Sequence, residues 1–390
     1  MKFELNNADS ALIKEHFDKI VDSSYKMLGY PTSRDFDYSE LNEIMRYPLN
    51  NVGDPRMEST SVLSTKKEEN EVIDFFANLF RAPQHNYWGY VTNGGTEGNL
   101  YALYLARELY PNAMVYHSEA THYSVQKNLH LLKMDRIVIR SQPSGEMNYE
   151  DLEEILSQHR HRPAIVFANI GTTMTEAKDN VAIIKSVVKK MAIRQYYIHS
   201  DAALAGVYTA LLEPHHPFDF VDGADSIAIS GHKFIGAPIP CGLVIVKKNY
   251  KDRIGQMVPY IGSLDTTITG SRNGHTPWFL WYAIKKWGIE GFRYRAQQSL
   301  DLAAYTEKRL QEIGWPAWRN PNAITVVLKK PHEEIIAKWQ LASEEDIAHI
   351  ICMPGVKQEQ IDAFLEDLKM YHKHEVSGEL SAISNGRDSE

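Results

Sequence analysis

The sequence predicts an α/β fold: a large domain built on a mostly parallel seven-stranded sheet, followed by a small α+β C-terminal domain. Three observations carry this reading. Between residues 88 and 247 short apolar runs alternate with helical stretches, the pattern of strands joined by crossover helices. Glycine-rich or polar residues stand just after several of those runs, at the sheet edge where open α/β folds bind ligands. From residue 275 the pattern changes to long helices and then to a shorter set of two strands and two helices.

Taken in order, residues 8–28 read as a helix with Leu12, Ile13, Phe17, Ile20 and Met27 on roughly one face, closed by Gly29-Tyr30-Pro31. A second short helix is expected at 38–47. The polar turn Asn50-Asn51-Val52-Gly53-Asp54-Pro55 follows. Thr65 and Glu68 have capping-box spacing. The helix they open carries Val72, Phe75, Phe76, Leu79 and Phe80 as a core-facing stripe. Strands are expected at 88–91, 113–117, 136–140, 163–169, 195–200, 225–230 and 242–247, with Gly242 to Val246 the candidate antiparallel member. Helices fit at 97–110, 122–132, 149–159 and 180–193, and long helices at 275–313. Strands at 322–328 and 346–352 with helices at 331–340 and 357–370 complete the C-terminal part. The chain thus divides into an N-terminal helical segment (1–60), a large domain (61–290), a small α+β domain (291–372) and a polar, Ser-rich tail (373–390) expected to be mobile.

The chain has 390 residues, 43% hydrophobic and 24% charged, an ordinary globular composition. Its formal net charge of −8 argues against a general nucleic-acid surface. Two cysteines, Cys241 and Cys352, cannot build a disulfide framework, which fits a reducing cytoplasm. The N-terminus has no apolar signal region, and no run approaches the length of a membrane span.

Five strand ends carry residues with chemistry. Gly94, Gly95 and Thr96 end a strand and open a helix, so backbone N–H groups and a hydroxyl can meet an anion there. The stretch is neither Gly-x-Gly-x-x-Gly nor a P-loop, which argues against a dinucleotide-binding oxidoreductase. His122 opens the next helix, where an imidazole can stack on an aromatic cofactor or move a proton. Thr172 and Thr173 follow the strand at 163–169. Asp201 ends another, where a carboxylate can hold a protonated pyridine nitrogen, and the small Ala203 leaves room for a flat ring. Lys233 follows His232 at the end of the run 226–229. A lysine placed there is costly unless paired or covalently used, and a desolvated lysine forms Schiff bases. His199 and Asp201 with His215 or His216 are an alternative metal set, but no HExxH or paired Cys motif supports it; no metal is expected. The ordered set suits pyridoxal 5'-phosphate, with phosphate on 94–96, ring nitrogen on Asp201 and aldehyde on Lys233.

The blocks WGYVTNGGTEGN (88–99), THYSV (121–125), ANIGTTMTEA (168–177), YIHSDAA (197–203), SGHKFIGAPIPCG (230–242) and TGSRNGHTPWFLW (269–281) resemble the group II pyridoxal-phosphate-dependent amino-acid decarboxylases over about residues 25–370. Within that group they look most like the bacterial histidine decarboxylases, and the stretch 315–327 favours these over the plant serine decarboxylases that share most blocks. The resemblance implies the aspartate-aminotransferase fold, fold type I, and a cytoplasmic homodimer or homotetramer with its active site at the subunit interface, the segment 1–60 contributing to that interface. It implies decarboxylation of L-histidine to histamine, with L-serine or another amino acid as the alternative substrate. A non-catalytic protein on the same fold would be expected to have lost Lys233 or Asp201.

By the same resemblance Lys233 matches the lysine that holds the aldehyde, Asp201 the partner of the ring nitrogen, and His122 the imidazole on one ring face with Ala203 on the other. Gly94, Gly95, Thr96, Ser230 and His232 match the phosphate side, and Thr172 a further cofactor contact. Larger animal relatives carry a long catalytic loop where this chain has only Tyr260 to Asp265, so a loop tyrosine does not carry over securely as the proton donor to Cα; His122 or Lys233 could serve instead, and the sequence does not decide. Asn51, Asp54, Tyr260, Ser271 and His275 are the candidate substrate residues.

Overall fold

Strands form in the middle of this chain because both of their faces are covered, so each reads as a nearly continuous apolar run. The computed structural model describes residues 5–377. After helix α1 (Asn7–Tyr25) and a 3-10 turn (Ser39–Arg46) come α2 (Lys66–Leu79), β1 (Tyr87–Thr92), α3 (Gly95–Leu109), β2 (Met114–Ser118), α4 (Ser124–Leu131), β3 (Arg136–Ile139) and α5 (Tyr149–His159). They continue with β4 (Ala164–Asn169), α6 (Val181–Lys190), β5 (Tyr196–Asp201), α7 (Gly206–Thr209), β6 (Ser226–Ser230), β7 (Gly242–Lys247) and α8 (Lys248–Lys251). The sheet runs β1-β7-β6-β5-β4-β2-β3. β7 is antiparallel to both its neighbours, as its glycine-proline approach led us to expect; all other pairings are parallel.

One face of the sheet packs Val166, Ile198, Ile227, Ile229 and Ile245 against α2, α5 and α6. The other packs Val115, Ile165, Phe167 and Tyr197 against α3 and α4. A short hairpin, β8 (Gln256–Val258) and β9 (Ser263–Asp265), flanks the turn at 259–261, where the sequence suggested only a short loop. Helix α9 (His275–Glu312) then runs on to the C-terminal part and is broken at Gly288, whose φ of 58° and ψ of −171° lie outside the helical range. A four-stranded antiparallel sheet follows, ordered β10 (Ala317–Trp318), β11 (Thr325–Lys329), β13 (Ile347–Ile351), β12 (Ala342–Glu344). Helices α10 (Glu333–Trp339) and α11 (Gln358–Ser377) cover it, with Val326, Leu328, Ile350, Phe364 and Leu365 in a separate core. α11 thus continues through 373–377, which the sequence assigned to a mobile tail; 378–390 lie outside the described residues.

Two N-terminal expectations are corrected. α1 ends at Tyr25, so Met27 is not on its face, and Leu28 is buried in the C-terminal core. The apolar stripe on α1 has no partner among the described residues: Phe17 is 63% and Ile20 66% exposed. The Thr65–Glu68 capping box does not form. The Thr65 hydroxyl donates instead to Gly274 O at 2.6 Å, and its backbone N–H donates to the Asn51 side-chain oxygen at 2.8 Å.

That Asn51 contact belongs to a buried cluster. Glu69, on the inward face of α2, accepts from Val91 N (2.9 Å), from the Asn51 amide (2.8 Å) and from the Arg272 guanidinium. Arg272 also donates to Gly53 O at 3.1 Å and lies over the Tyr90 ring. One carboxylate therefore joins helix, strand and two loops. Removing one partner of a buried ion pair leaves an uncompensated charge, which costs about 3–5 kcal/mol. Glu69→Ala should lower the unfolding free energy from a denaturant titration by that amount, while Lys67→Ala, on the exposed side of the same helix, should change it little.

Candidate active site

The parallel strands β4, β5 and β6 end beside one another, with Asn169 in register with Asp201 and Asp201 with Ala228. Residues just past those ends share one cleft. At the first turn of α3 a Cβ added to Gly95 would lie 2.9 Å from Ser230 Oγ and 3.1 Å from Ala203 Cβ. Glycine is therefore required for the helix start to approach β5 and β6 this closely. Gly94 precedes it at φ 140°, a conformation L side chains rarely adopt, and a Cβ there would face His232 Cε1 at 3.8 Å. Gly94, Gly95, Ala203, Ser230 and His232 thus form one wall, and Thr96 follows on the same helix turn.

Lys233 lies in the tight turn Gly231–Ile235, where its own backbone leaves the helical range. Burial depresses its ammonium pKa below the usual lysine value, and the charge of Asp201 opposes that shift. No hydrogen bond or ion pair engages its ammonium among the described residues. His122 lies just before α4. Burial pushes its imidazole pKa down, Asp201 pulls it up and Lys233 lowers it further, so the three charges sense one another. His122 Nδ1 is 2.8 Å from Ser124 Oγ and accepts from Ser124 N at 3.3 Å.

Asp201 is 8% exposed. Its Oδ1 accepts from Ala203 N at 3.1 Å and its Oδ2 from the Asn99 amide at 2.8 Å. Behind Asn99 stands His199, with Nε2 2.9 Å from Asn99 Oδ1 and Nδ1 2.7 Å from Ser226 Oγ. Both ring nitrogens of His199 are therefore occupied, so it cannot ligate a metal with Asp201. His215 lies elsewhere, near Asp219 and Asp222, and the Arg81 guanidinium binds that group. His216 lies against Asp179 O at 3.0 Å.

Burial pushes the His199 pKa down to about 3. The folded state then binds fewer protons than the unfolded chain, whose histidine titrates near 6.5. His199 should therefore contribute a loss of stability that begins as pH falls below about 6.5 and grows toward about 3. The stability difference between wild type and His199→Gln, measured by urea titration from neutral pH to about pH 5, should change in favour of the variant as pH falls. A difference independent of pH would contradict this.

The remaining candidates are placed differently. Thr172 is buried, but its hydroxyl accepts from Ala177 N at 2.9 Å and pairs with Thr175 Oγ1 at 3.0 Å, within its own turn. Asn51 belongs to the Glu69 cluster. Asp54 accepts from Trp88 Nε1 (3.2 Å) and Thr266 Oγ1 (3.0 Å), with Lys251 Nζ 3.6 Å away. Ser271 meets Asn50, and His275 Nε2 lies 3.0 Å from Tyr47 O. The Tyr260 side chain lies outside the described residues. No described hydrogen bond or ion pair joins any of these to Lys233, His122 or Asp201. Asn99 was missed from sequence, although its place four residues after Gly95 on the inward face of α3, among Tyr101, Ala102 and Leu105, marks it as a polar group that needs a buried partner.

A cofactor with a phosphate, an aldehyde and a ring nitrogen fits this arrangement. The Gly94–Gly95 helix start can present backbone N–H groups to a phosphate, a desolvated amine with no polar partner among the described residues suits a carbonyl, and a buried carboxylate held, among those residues, by neutral donors can balance a protonated ring.

Residues 64–315 match the model of the pyridoxal-dependent decarboxylase conserved domain. The chain is 50% identical over 364 residues to a histidine decarboxylase of Mesorhizobium japonicum, covering 93% of this chain and 98% of that protein. It is 44% identical over 384 residues to a histidine decarboxylase of Vibrio anguillarum, covering 96% of this chain and 100% of that protein. The structure superposes on L-methionine decarboxylase from Streptomyces sp. 590 with a TM-score of 0.83 at 27% identity, over 93% of this chain and 96% of that one. The fold is of type I, and the cofactor that fits the cleft is the one this domain uses. A family match over residues 64–315, joined to 44–50% identity with relatives covered almost end to end, places this protein in the pyridoxal-dependent decarboxylase family.

Proposed function

We propose that the chain decarboxylates L-histidine, releasing carbon dioxide and histamine, with pyridoxal 5'-phosphate as cofactor. The observation that carries this reading is the 41–50% identity to histidine decarboxylases along nearly the whole chain. When bound, the cofactor supplies a sink for the electron pair left at Cα as carbon dioxide departs.

The chain's own residues divide the rest of the work. Gly94, Gly95, Thr96, Ser230 and His232 would hold the phosphate, through helix N-terminal amides and the side chains of Thr96, Ser230 and His232. Asp201 keeps a proton on the ring nitrogen. His122 and Ala203 flank the ring. Lys233 supplies the amine for the aldehyde, and its depressed pKa makes the neutral, nucleophilic form accessible. The Lys233 nitrogen or His122 Nε2 would be the donor that delivers a proton to Cα. Ser271, His275 and Tyr260 remain the residues to probe for imidazole recognition, and Thr172 supports the turn beside the cleft. Asn51 and Asp54 are held in buried networks with Glu69, Thr65, Trp88 and Thr266.

The exposed apolar stripe of α1 supports a dimer in which a second copy covers it, with 1–60 contributing to the interface. Sedimentation of Phe17→Glu should then show a smaller species than wild type. No helix among the described residues is long and apolar enough to cross a membrane, and buried unpaired Cys241 and Cys352 suit a cytoplasmic enzyme.

The test is carbon dioxide release by cofactor-loaded protein, with histidine and serine offered separately. Histidine should be favoured by at least about a hundredfold in kcat/KM, since a site that hydrogen-bonds an imidazole leaves its polar groups unpaired with serine. Release from serine alone would keep the chemistry and overturn the substrate. Release from neither, with the cofactor bound, would overturn the reading.

A further inference from the structure

No cationic side chain hydrogen-bonds Asp201 among the described residues. Its carboxylate is fixed instead by two neutral donors, Ala203 N on Oδ1 and the Asn99 amide on Oδ2. We propose that Asn99 is a positioning residue for Asp201, and that His199, anchored by Ser226, holds Asn99 in that role. The inference rests on the reading of Asp201 as partner of the cofactor's ring nitrogen.

The polarity of the chain follows from its ends. An ionised carboxylate only accepts, so the Asn99 nitrogen faces Asp201 and its oxygen faces His199. That oxygen accepts, so His199 carries its proton on Nε2. His199 Nδ1 then accepts from the Ser226 hydroxyl, 2.7 Å away. The imidazole must be neutral for this order to hold, and complete burial beneath the Phe167 ring, 4.9 Å between centroids, keeps it so. Each link of this chain pairs one donor with one acceptor, from β6 through β5 to α3 and back to the end of β5.

Two consequences follow. Clamping both oxygens fixes the plane of the carboxylate, which would otherwise rotate about its terminal torsion. Because both clamps are neutral, they hold the carboxylate without cancelling its charge, which remains available to a protonated ring. A lysine or arginine in place of Asn99 would hold Asp201 as firmly and leave it a poorer partner for a cation.

The test uses holoenzyme carrying cofactor labelled with nitrogen-15 at the ring, whose chemical shift reports ring protonation, followed between about pH 6 and 9. Wild type should show the protonated signal throughout. Asn99→Leu should move the ring titration downward by at least about one unit, a tenfold change in the equilibrium. Its kcat should fall about 10–100-fold, the usual size of an outer-shell loss, with KM changed less than about threefold. His199→Leu should behave similarly, while His199→Gln, which keeps a neutral donor toward Asn99, should retain the wild-type signal.

Folded Asn99→Leu with the wild-type titration would overturn the proposal. Should that variant not fold, the histidine pair decides: unlike behaviour of Leu and Gln supports the proposal, and like behaviour overturns it. Asp201→Asn separates the two levels. A wild-type signal in Asp201→Asn would defeat the reading of Asp201 itself, whereas a shifted signal there, with none in Asn99→Leu, would defeat only the role given to Asn99.

Discussion

Lys233→Ala is expected to abolish turnover while leaving the fold intact. Loss of a residue that enters covalent chemistry typically lowers kcat by roughly 10⁴–10⁶-fold, because the rest of the site retains only binding and orientation. The structure adds a less obvious expectation. The Lys233 ammonium is desolvated, and no hydrogen bond or ion pair engages it among the described residues, so its removal breaks no polar contact and relieves the cost of holding a charge away from water. The variant without cofactor should therefore unfold at a temperature equal to or above that of wild type. This is the pattern of a group retained for chemistry at the expense of stability. Borohydride treatment of wild-type holoenzyme followed by peptide mapping should attach the cofactor mass to the peptide containing Lys233. Normal turnover in the alanine variant, or attachment at another lysine, would sink the assignment.

Sequence periodicity located the central sheet well because burial on both faces makes its strands unbroken apolar runs with polar ends. All seven observed strands begin and end within one residue of the expected limits. The helix at 149–159 was bounded correctly, its start fixed by the Asn148 side chain, which accepts from Glu150 N and Asp151 N. Where no side chain caps, the limits drift: the helix expected at 122–132 runs Ser124–Leu131. The strands β8, β9, β10 and β12 are too short to show a period. The stripe of α1 was legible as apolar, but its exposure is a tertiary fact. Local spacing likewise suggested a capping box at Thr65, and the approach of Gly274, more than two hundred residues later, took its hydroxyl.

The same contrast holds within the site. Gly94, Gly95, Asp201 and Lys233 were legible because each breaks the local pattern at a strand end, and the topology gathers strand ends. Asn51 and Asp54 looked like available polar loop residues, yet their side chains are spent on Glu69, Thr65, Trp88 and Thr266. Polarity in a loop does not reveal whether the loop is buried. Asn99 and His199 meet across a hundred residues of chain, and only the fold shows that an amide inside a helix turn ends on the carboxylate.

Asp201→Asn is expected to have the second-largest effect. The substitution keeps size and shape and removes only the charge. An asparagine oxygen can still accept from Ala203 N or from Asn99, so fold and cofactor binding should largely survive. What is lost is the preference for a protonated ring, and with it the capacity to draw electrons from Cα as the carboxylate leaves. Removal of one preorganised electrostatic partner typically costs about 10²–10³ in kcat, or roughly 2.7–4 kcal/mol of barrier. The loss should fall on kcat with KM nearly unchanged, since the charge acts where electrons develop and not where substrate is bound. Asp201→Ala should be worse on both counts, because it also leaves the Asn99 amide without its acceptor in a buried position. Stopped-flow measurement of a single turnover, with substrate saturating, would separate the chemical step from product release. An unchanged single-turnover rate in Asp201→Asn would mean that the ring is held by another group, and that this buried carboxylate serves only to join β5 to α3.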